Sequence, residues 1–196
     1  MKVRPRQILS VIGSLFLFFI LRQFVSFDFK NHAAEFSLAK EKLAAAANEE
    51  ERYTILDDAA FHGALSGHLD EAKALAEELL RLSEKYKKSD WQSTGWNYGN
   101  AVHKGHSVLG LVAVQSNDLD GACRHLLLSA PPDAGSPQMS SFGPNMTLAR
   151  ELLKKGEQEA VLKYFDECDR FWTVPFYWRW FVRMGLTPSF GANMSY

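Results

Sequence analysis

Two histidines lie three residues apart near the middle of the chain, at positions 103 and 106. On a helix this spacing puts both imidazoles on one face, and imidazole is a common zinc ligand. A metal centre there needs further ligands, for which His62, His125 and Asp118 are the candidates. The chain has neither an HExxH string nor a CxxC pair. We therefore predict no metal site and expect His103 and His106 to be ordinary hydrogen-bond partners. A small metal-dependent hydrolase using these two residues is the alternative.

A second group of polar side chains falls in a stretch rich in proline, glycine and serine, residues 130–143. A loop of that length without an element of its own is uncommon in a compact domain and is often functional. It offers no evident pair of nucleophile and base, so we expect either binding or packing within the protein, and not catalysis. The possible interaction residues in and beside this loop are Ser136, Gln138, Phe142 and Asn145.

Aromatic side chains crowd near the C-terminus, where seven fall between positions 171 and 181. They cannot all be hydrated without leaving a large apolar patch. Three roles are open: a cap over the last helices, contact with a membrane interface helped by Arg179 and Arg183, or a patch that binds a partner. The possible interaction residues here are Phe176, Trp178 and Trp180.

The composition suits one folded domain, since the chain has 196 residues of which 46% are hydrophobic. Its formal net charge is −1, and the Lys and Arg residues are scattered, which argues against nucleic acid as a partner. Cys123 and Cys168 are the only cysteines, and we expect both to be free and buried, with a disulfide in an oxidising compartment as the alternative. We predict no cofactor and no enzymatic activity.

A pattern of helix breaks occurs three times along the chain and predicts an all-α fold of helical hairpins. A small or apolar pair is followed seven residues later by a helix breaker, and five residues after that by another small apolar residue. The breakers allow the chain to reverse, and the small residues allow two helices to approach closely. The three occurrences are Ala59-Ala60…Gly67…Ala72, Leu109-Gly110…Asn117…Ala122 and Leu148-Ala149…Gly156…Val161.

The N-terminus carries a basic stretch and then an apolar one. Lys2, Arg4 and Arg6 precede residues 8–27, which as a helix would be about 30 Å long, enough to cross a bilayer. Signal cleavage requires small residues at positions −3 and −1, and none of the triplets 24–26, 26–28 and 32–34 supplies both. We predict an uncleaved single-pass anchor, with a cleaved signal peptide and a buried core helix as alternatives. The basic residues favour a cytoplasmic N-terminus and an extracytoplasmic domain, periplasmic in a Gram-negative cell.

The string Gly-His-Leu-Asp-Glu-Ala at positions 67–72 closely resembles the turn of tetratricopeptide (TPR) repeats. That resemblance implies an α-solenoid fragment that binds other proteins. The predicted turns at Gly67, Asn117 and Gly156 are 50 and 39 residues apart, whereas TPR arrays repeat every 34 or so. Gly63 and Ala113 stand where the family often has tyrosine. We therefore expect irregular TPR-like hairpins, in which the usual concave groove cannot be assumed.

A second resemblance covers residues 90–196. The strings GNAVH at 99–103, GSPQM at 135–139 and SFGPNM at 141–146, with the aromatic and cysteine residues of 164–172, are similar to those of an uncharacterised group of bacterial, membrane-anchored TPR-like proteins. This resemblance implies a bacterial source and a helical fold, and it transfers no functional residue.

These observations predict four parts of the chain: a transmembrane anchor over residues 1–27, a linker helix over 28–48, a TPR-like helical domain over 49–186 and a C-terminal tail over 187–196. The function that we expect is protein–protein interaction or scaffolding at a membrane, with partner proteins that the sequence does not identify. Besides the hydrolase, the alternative is a structural envelope protein whose aromatic C-terminus contacts the membrane.

Overall fold

The computed structural model describes residues 31–87, 97–130 and 136–194, which form α-helices and one 3₁₀ helix without any strand. The predicted all-α class is confirmed for this part of the chain. Within the same ranges no helix is long and apolar enough to span a bilayer. The anchor predicted over residues 8–27 lies outside the described residues. The helices are α1 (His32–Ala45), α2 (Glu49–Leu65), α3 (Leu69–Tyr86), α4 (Tyr98–Gln115), α5 (Leu119–Leu128), α6 (Pro137–Phe142), α7 (Thr147–Lys154), α8 (Gln158–Cys168), α9 (Phe176–Arg183) and the 3₁₀ helix (Gly191–Met194).

Three helical hairpins, α2–α3, α4–α5 and α7–α8, turn at the residues that the sequence predicts. Gly67, Asn117 and Gly156 have φ angles of +87°, +60° and +90°, the left-handed conformation that ends a helix. In each turn the next residue's N–H donates back to a carbonyl of the first helix. These bonds are His68 N to Gly63 O at 2.9 Å, Asp118 N to Ala113 O at 2.9 Å and Glu157 N to Leu152 O at 3.0 Å. The predicted breakers are therefore confirmed.

Small residues let the hairpins pack closely, as the pattern predicts. Ala72, Ala122 and Val161 are fully buried. In α4, a Cβ added at Gly105 would lie 2.7 Å from Leu80 Cγ in α3, and one added at Gly110 would lie 2.3 Å from Leu148 Cδ2 in α7. Leucine side chains of α3 and α7 thus pack directly against the α4 backbone, so α4 lies between these two helices at the centre of the fold.

The connection over residues 130–143 is not a structureless loop, and that prediction is wrong. Helix α6 occupies Pro137–Phe142, because Ser136 accepts a hydrogen bond from Met139 N at its N-terminus and Pro137 suits a first helical turn. Gly143, with φ +82°, ends the helix, and a Cβ there would lie 2.6 Å from Trp172 Cε2. The segment is thereby fitted closely against the C-terminal region.

Both ends of the described chain pack onto the hairpins. Helix α1, in the predicted linker, buries Phe36, Ala39 and Leu43. At the other end α9 stops at Gly185, with φ +74° and a bond from Leu186 N to Phe181 O of 2.9 Å. Residues 187–194, which we expected to form most of a tail, then fold back and bury Phe190 and Met194 in the same core as α8 and α9.

Candidate functional site

His103 is buried in the interior, where both ring nitrogens are engaged by the backbone. Its Nδ1 lies 2.9 Å from Ser129 O, and Asn145 N donates to its Nε2 at 3.0 Å. A carbonyl can only accept and an amide N–H can only donate, so Nδ1 carries the proton and Nε2 does not. Burial lowers the pKa of His103 to about 4, which keeps the ring neutral. The expectation of an ordinary hydrogen-bond partner is confirmed for this residue.

His106 pairs with His125 instead of joining His103. The two Nδ1 atoms are 3.2 Å apart and the ring centroids 5.3 Å apart. Burial, together with the neighbouring His125, lowers the pKa of His106 to about 4. His62, another candidate ligand, lies with its Nδ1 2.8 Å from Nδ1 of His32. Across the described ranges, no three His, Cys, Asp or Glu side chains are placed to hold a metal ion.

Both cysteines are free, as predicted. Cys168 is buried, whereas Cys123 is only half-buried and its Sγ lies 3.6 Å from Glu157 Oε2. Burial and the nearby carboxylate raise the pKa of Cys123 to about 11, and burial raises that of Cys168 as well. Because the thiolate is the nucleophilic form, neither thiol is activated at neutral pH.

The polar residues predicted around residues 130–143 mostly serve the protein's own structure. Ser136 is buried and bonded to Asn100, whose Nδ2 also donates to Gln138 Oε1 at 3.2 Å. Asn145 is buried too, and its Oδ1 accepts from Thr147 N at 2.9 Å. The self-packing alternative therefore accounts for Ser136 and Asn145, while Gln138 is exposed and Phe142 is 68% exposed.

The C-terminal aromatic residues divide into an inner and an outer set. Trp178 is 3% exposed and packs between Phe165, 6.0 Å away, and Phe190, 4.8 Å away, by ring centroids. Phe176 and Trp180 are 83% and 55% exposed. The inner set covers the end of the core, which is the role of a cap. Arg179 lies against this core as well, bonded to Asp166 and Asp169 on and just beyond α8.

The outer set continues into an apolar stripe. Phe176, Trp180 and Met184 are four residues apart, so they share one side of α9 and its C-terminal turn. Met184 is 46% exposed. We call these three side chains the outer face of α9.

A groove that the sequence analysis missed lies where the first helices of the three hairpins end. It has a volume of about 390 Å³. Buried Leu111 and Val114 of α4 form part of its lining, and Gln115 bridges to α2 through a bond from Nε2 to Ala64 O of 3.3 Å. The full lining is Leu65, Leu111, Val114, Gln115, Glu151 and Lys155. Leu65, Gln115 and Lys155 stand one or two positions before the three breakers. The sequence therefore marks these helix ends but not their convergence on one groove.

Compared with protein-family models, with curated proteins and with solved structures, the chain matches none.

Proposed function

We propose that this chain is a membrane-anchored interaction module, built from irregular TPR-like hairpins, that binds a segment of a partner protein in the groove between α2, α4 and α7. The observation that carries this proposal is that each of the three hairpins contributes the end of its first helix to the lining of the groove. The residue one or two positions before each turn lines it in all three hairpins. Helical repeats commonly bind extended ligands on a concave surface to which each repeat contributes.

The chemistry of the groove favours a short peptide with one apolar side chain. Leu65, Leu111 and Val114 supply an apolar surface, and about 390 Å³ is within the range of small-ligand pockets. The rim is polar and includes Gln115 and Lys155, both exposed. A carboxylate on the partner segment would find a cation in Lys155, which forms no ion pair with the residues that the structure describes.

Anchoring is the second part of the proposal. It rests on residues 8–27, whose length and apolar character suit one bilayer crossing, and on the basic residues before them. With the N-terminus in the cytoplasm, the helical domain would lie outside it. A scaffold or an aid to the assembly of another envelope component fits this position.

Capture from detergent-solubilised membranes, with a tag after Tyr196, tests the groove if matched variants are compared. Gln115→Trp fills the groove, and Lys155→Glu reverses the charge on its rim. Glu77→Trp and Lys73→Glu make comparable changes at exposed positions of α3, away from the groove. We expect a specific partner to be lost from both groove variants and retained by both controls. A partner retained by all four variants, or lost from all four, would contradict the assignment of the groove.

A further inference from the structure

The outer face of α9 is the largest local concentration of exposed apolar side chains in the described chain. Seven large hydrophobic side chains are exposed among the described residues. The three of the outer face, together with the neighbouring Leu186, fall within eleven residues. The opposite side of α9 is fixed in the core by Trp178, Phe181 and Val182. The outer face is therefore held rigidly outward and is not a frayed end of the fold.

We infer that the outer face of α9 seats in the interfacial layer of a lipid bilayer. Trp180 suits that depth, because tryptophan concentrates where headgroups meet acyl chains, and Phe176 and Met184 supply the apolar surface that an interfacial helix immerses. A helix of eight residues is too short to cross a bilayer, but it can lie in the interfacial plane with one side immersed.

Charge supports lipid over a protein partner as the occupant. From position 171 to the end of the sequence there are two arginines and no acidic residue. Arg179 is neutralised by Asp166 and Asp169, whereas Arg183, in the last turn of α9, is exposed. The Arg183 guanidinium pairs with no acidic side chain in the described ranges. Beside an immersed apolar stripe, it is suited to bind the phosphate of a lipid headgroup.

The position of the chain relative to the membrane points the same way, and here the inference rests on the anchor of the proposed function. Only four residues separate position 27, where the apolar run ends, from the start of α1 at His32. Such a short link holds the α1 end of the hairpin stack at the bilayer surface. A stack that lies along this surface would bring α9, which packs at the opposite end on α8, to the same lipid.

Tryptophan fluorescence of the full-length protein in vesicles tests the inference. Vesicles of phosphatidylcholine and phosphatidylglycerol carry bromine atoms near the headgroup end of the acyl chains, which quench tryptophan by contact. Residues 1–30 contain no tryptophan, so the anchor itself contributes no signal. We expect bromolipid to quench the wild-type protein and Trp180→Phe to lose most of that quenching. Trp178→Phe removes a buried indole and should retain it.

The outcomes separate lipid from the other occupants. Bromolipid quenching that is absent, or that persists in Trp180→Phe, overturns the inference. A second copy of the chain would instead protect Trp180 from quenching by aqueous acrylamide, without quenching by bromolipid. This protection would appear only at high protein density in the vesicles. Flotation of the same samples tests the anchor separately. A chain that floats without quenching at Trp180 overturns the α9 inference alone, and a chain that neither floats nor is quenched overturns both.

Discussion

His103 connects three parts of the chain through one neutral imidazole. It stands on α4, binds the carbonyl just after α5 and receives the N–H of Asn145 before α7. Since both partners are backbone groups in the interior, removing the ring nitrogens leaves a donor and an acceptor buried without partners. An unsatisfied buried polar group destabilises more than a lost surface contact, because it was desolvated on folding and gains nothing in return.

His103→Phe should therefore destabilise the protein by about 2–4 kcal/mol, even though the ring is similar in size. Urea denaturation followed by circular dichroism measures the change. His68→Phe is the control, because His68 is exposed and its substitution should shift the free energy of unfolding by less than about 0.5 kcal/mol. Equal effects from the two variants would mean that the hydrogen bonds of His103 contribute little.

Burial of His103 and His106 also predicts how stability depends on pH. Both have a pKa near 4 in the folded protein, against an ordinary value of 6.5. Between these values the unfolded chain binds protons that the folded chain excludes, so stability is complete above pH 6.5 and falls as the pH drops towards 4.

Denaturation midpoints measured between about pH 7 and pH 5 should fall with pH, and less steeply in His106→Gln than in the wild-type protein. This pH window lies above the range in which most carboxylates titrate, so histidine protonation accounts for most of the change in stability within it. An unchanged slope in His106→Gln would show that the pair with His125 takes up a proton without loss of stability.

The hairpin turns are the elements that the sequence predicts best, and their backbone angles explain why. The left-handed backbone conformation has a low energetic cost only for glycine and, to a lesser degree, asparagine. These residue types therefore indicate the turn before any tertiary contact is known. At Gly156 a Cβ would meet nothing within 4 Å, so a substitution there tests the backbone alone.

Gly156→Ala should lower the free energy of unfolding by about 1–2 kcal/mol through backbone strain alone. The adjacent Lys155, with φ −91° and ψ −3°, is the control, and Lys155→Ala should have little effect. If thermal melts show the two variants to be equally stable, the left-handed turn is not a constraint on this hairpin.

Close contact between α4 and α7 depends on a residue without a side chain. Leu148 is 1% exposed and cannot swing away from a Cβ at position 110. Gly110→Ala should accordingly destabilise by about 1–3 kcal/mol through overpacking. In a double-mutant cycle by urea denaturation, Leu148→Ala should reduce the additional effect of Gly110→Ala. Strict additivity would contradict direct contact between these positions.

Across the whole molecule, the sequence predicts features that local patterns specify, and it does not predict those that depend on how distant helices pack. Periodicity identifies the hairpins, but Trp178 and Trp180 look alike in sequence, and only the packing of α9 buries one and exposes the other. The groove depends on three helix ends converging, which no local signal reports. Helix α6 did have a local signal, since Ser136-Pro137 is a typical helix start, but the proline and glycine content of the stretch outweighed it.

Removing the C-terminal region tests whether it closes the core. Truncation after Arg170 strips Trp178 and Phe190 from the buried ring of Phe165. We expect the shortened chain to bind a hydrophobic dye and to unfold at lower urea concentration, because a large apolar surface is newly exposed. Truncation after Met194 is the control and should bind no more dye than the full chain. A truncation at Arg170 that stays monomeric and equally stable would contradict the capping role.

The turn at Gly185 carries a consequence for how far such a chain can be extended. It has the same left-handed geometry as the three hairpin turns, yet the residues after it fold back as a short 3₁₀ helix instead of a second long helix. Phe190 and Met194 are thereby buried in one core with Phe165 of α8 and Trp178 of α9. A further hairpin could stack on this side of α8 and α9 only after Phe190 and Met194 had left the core.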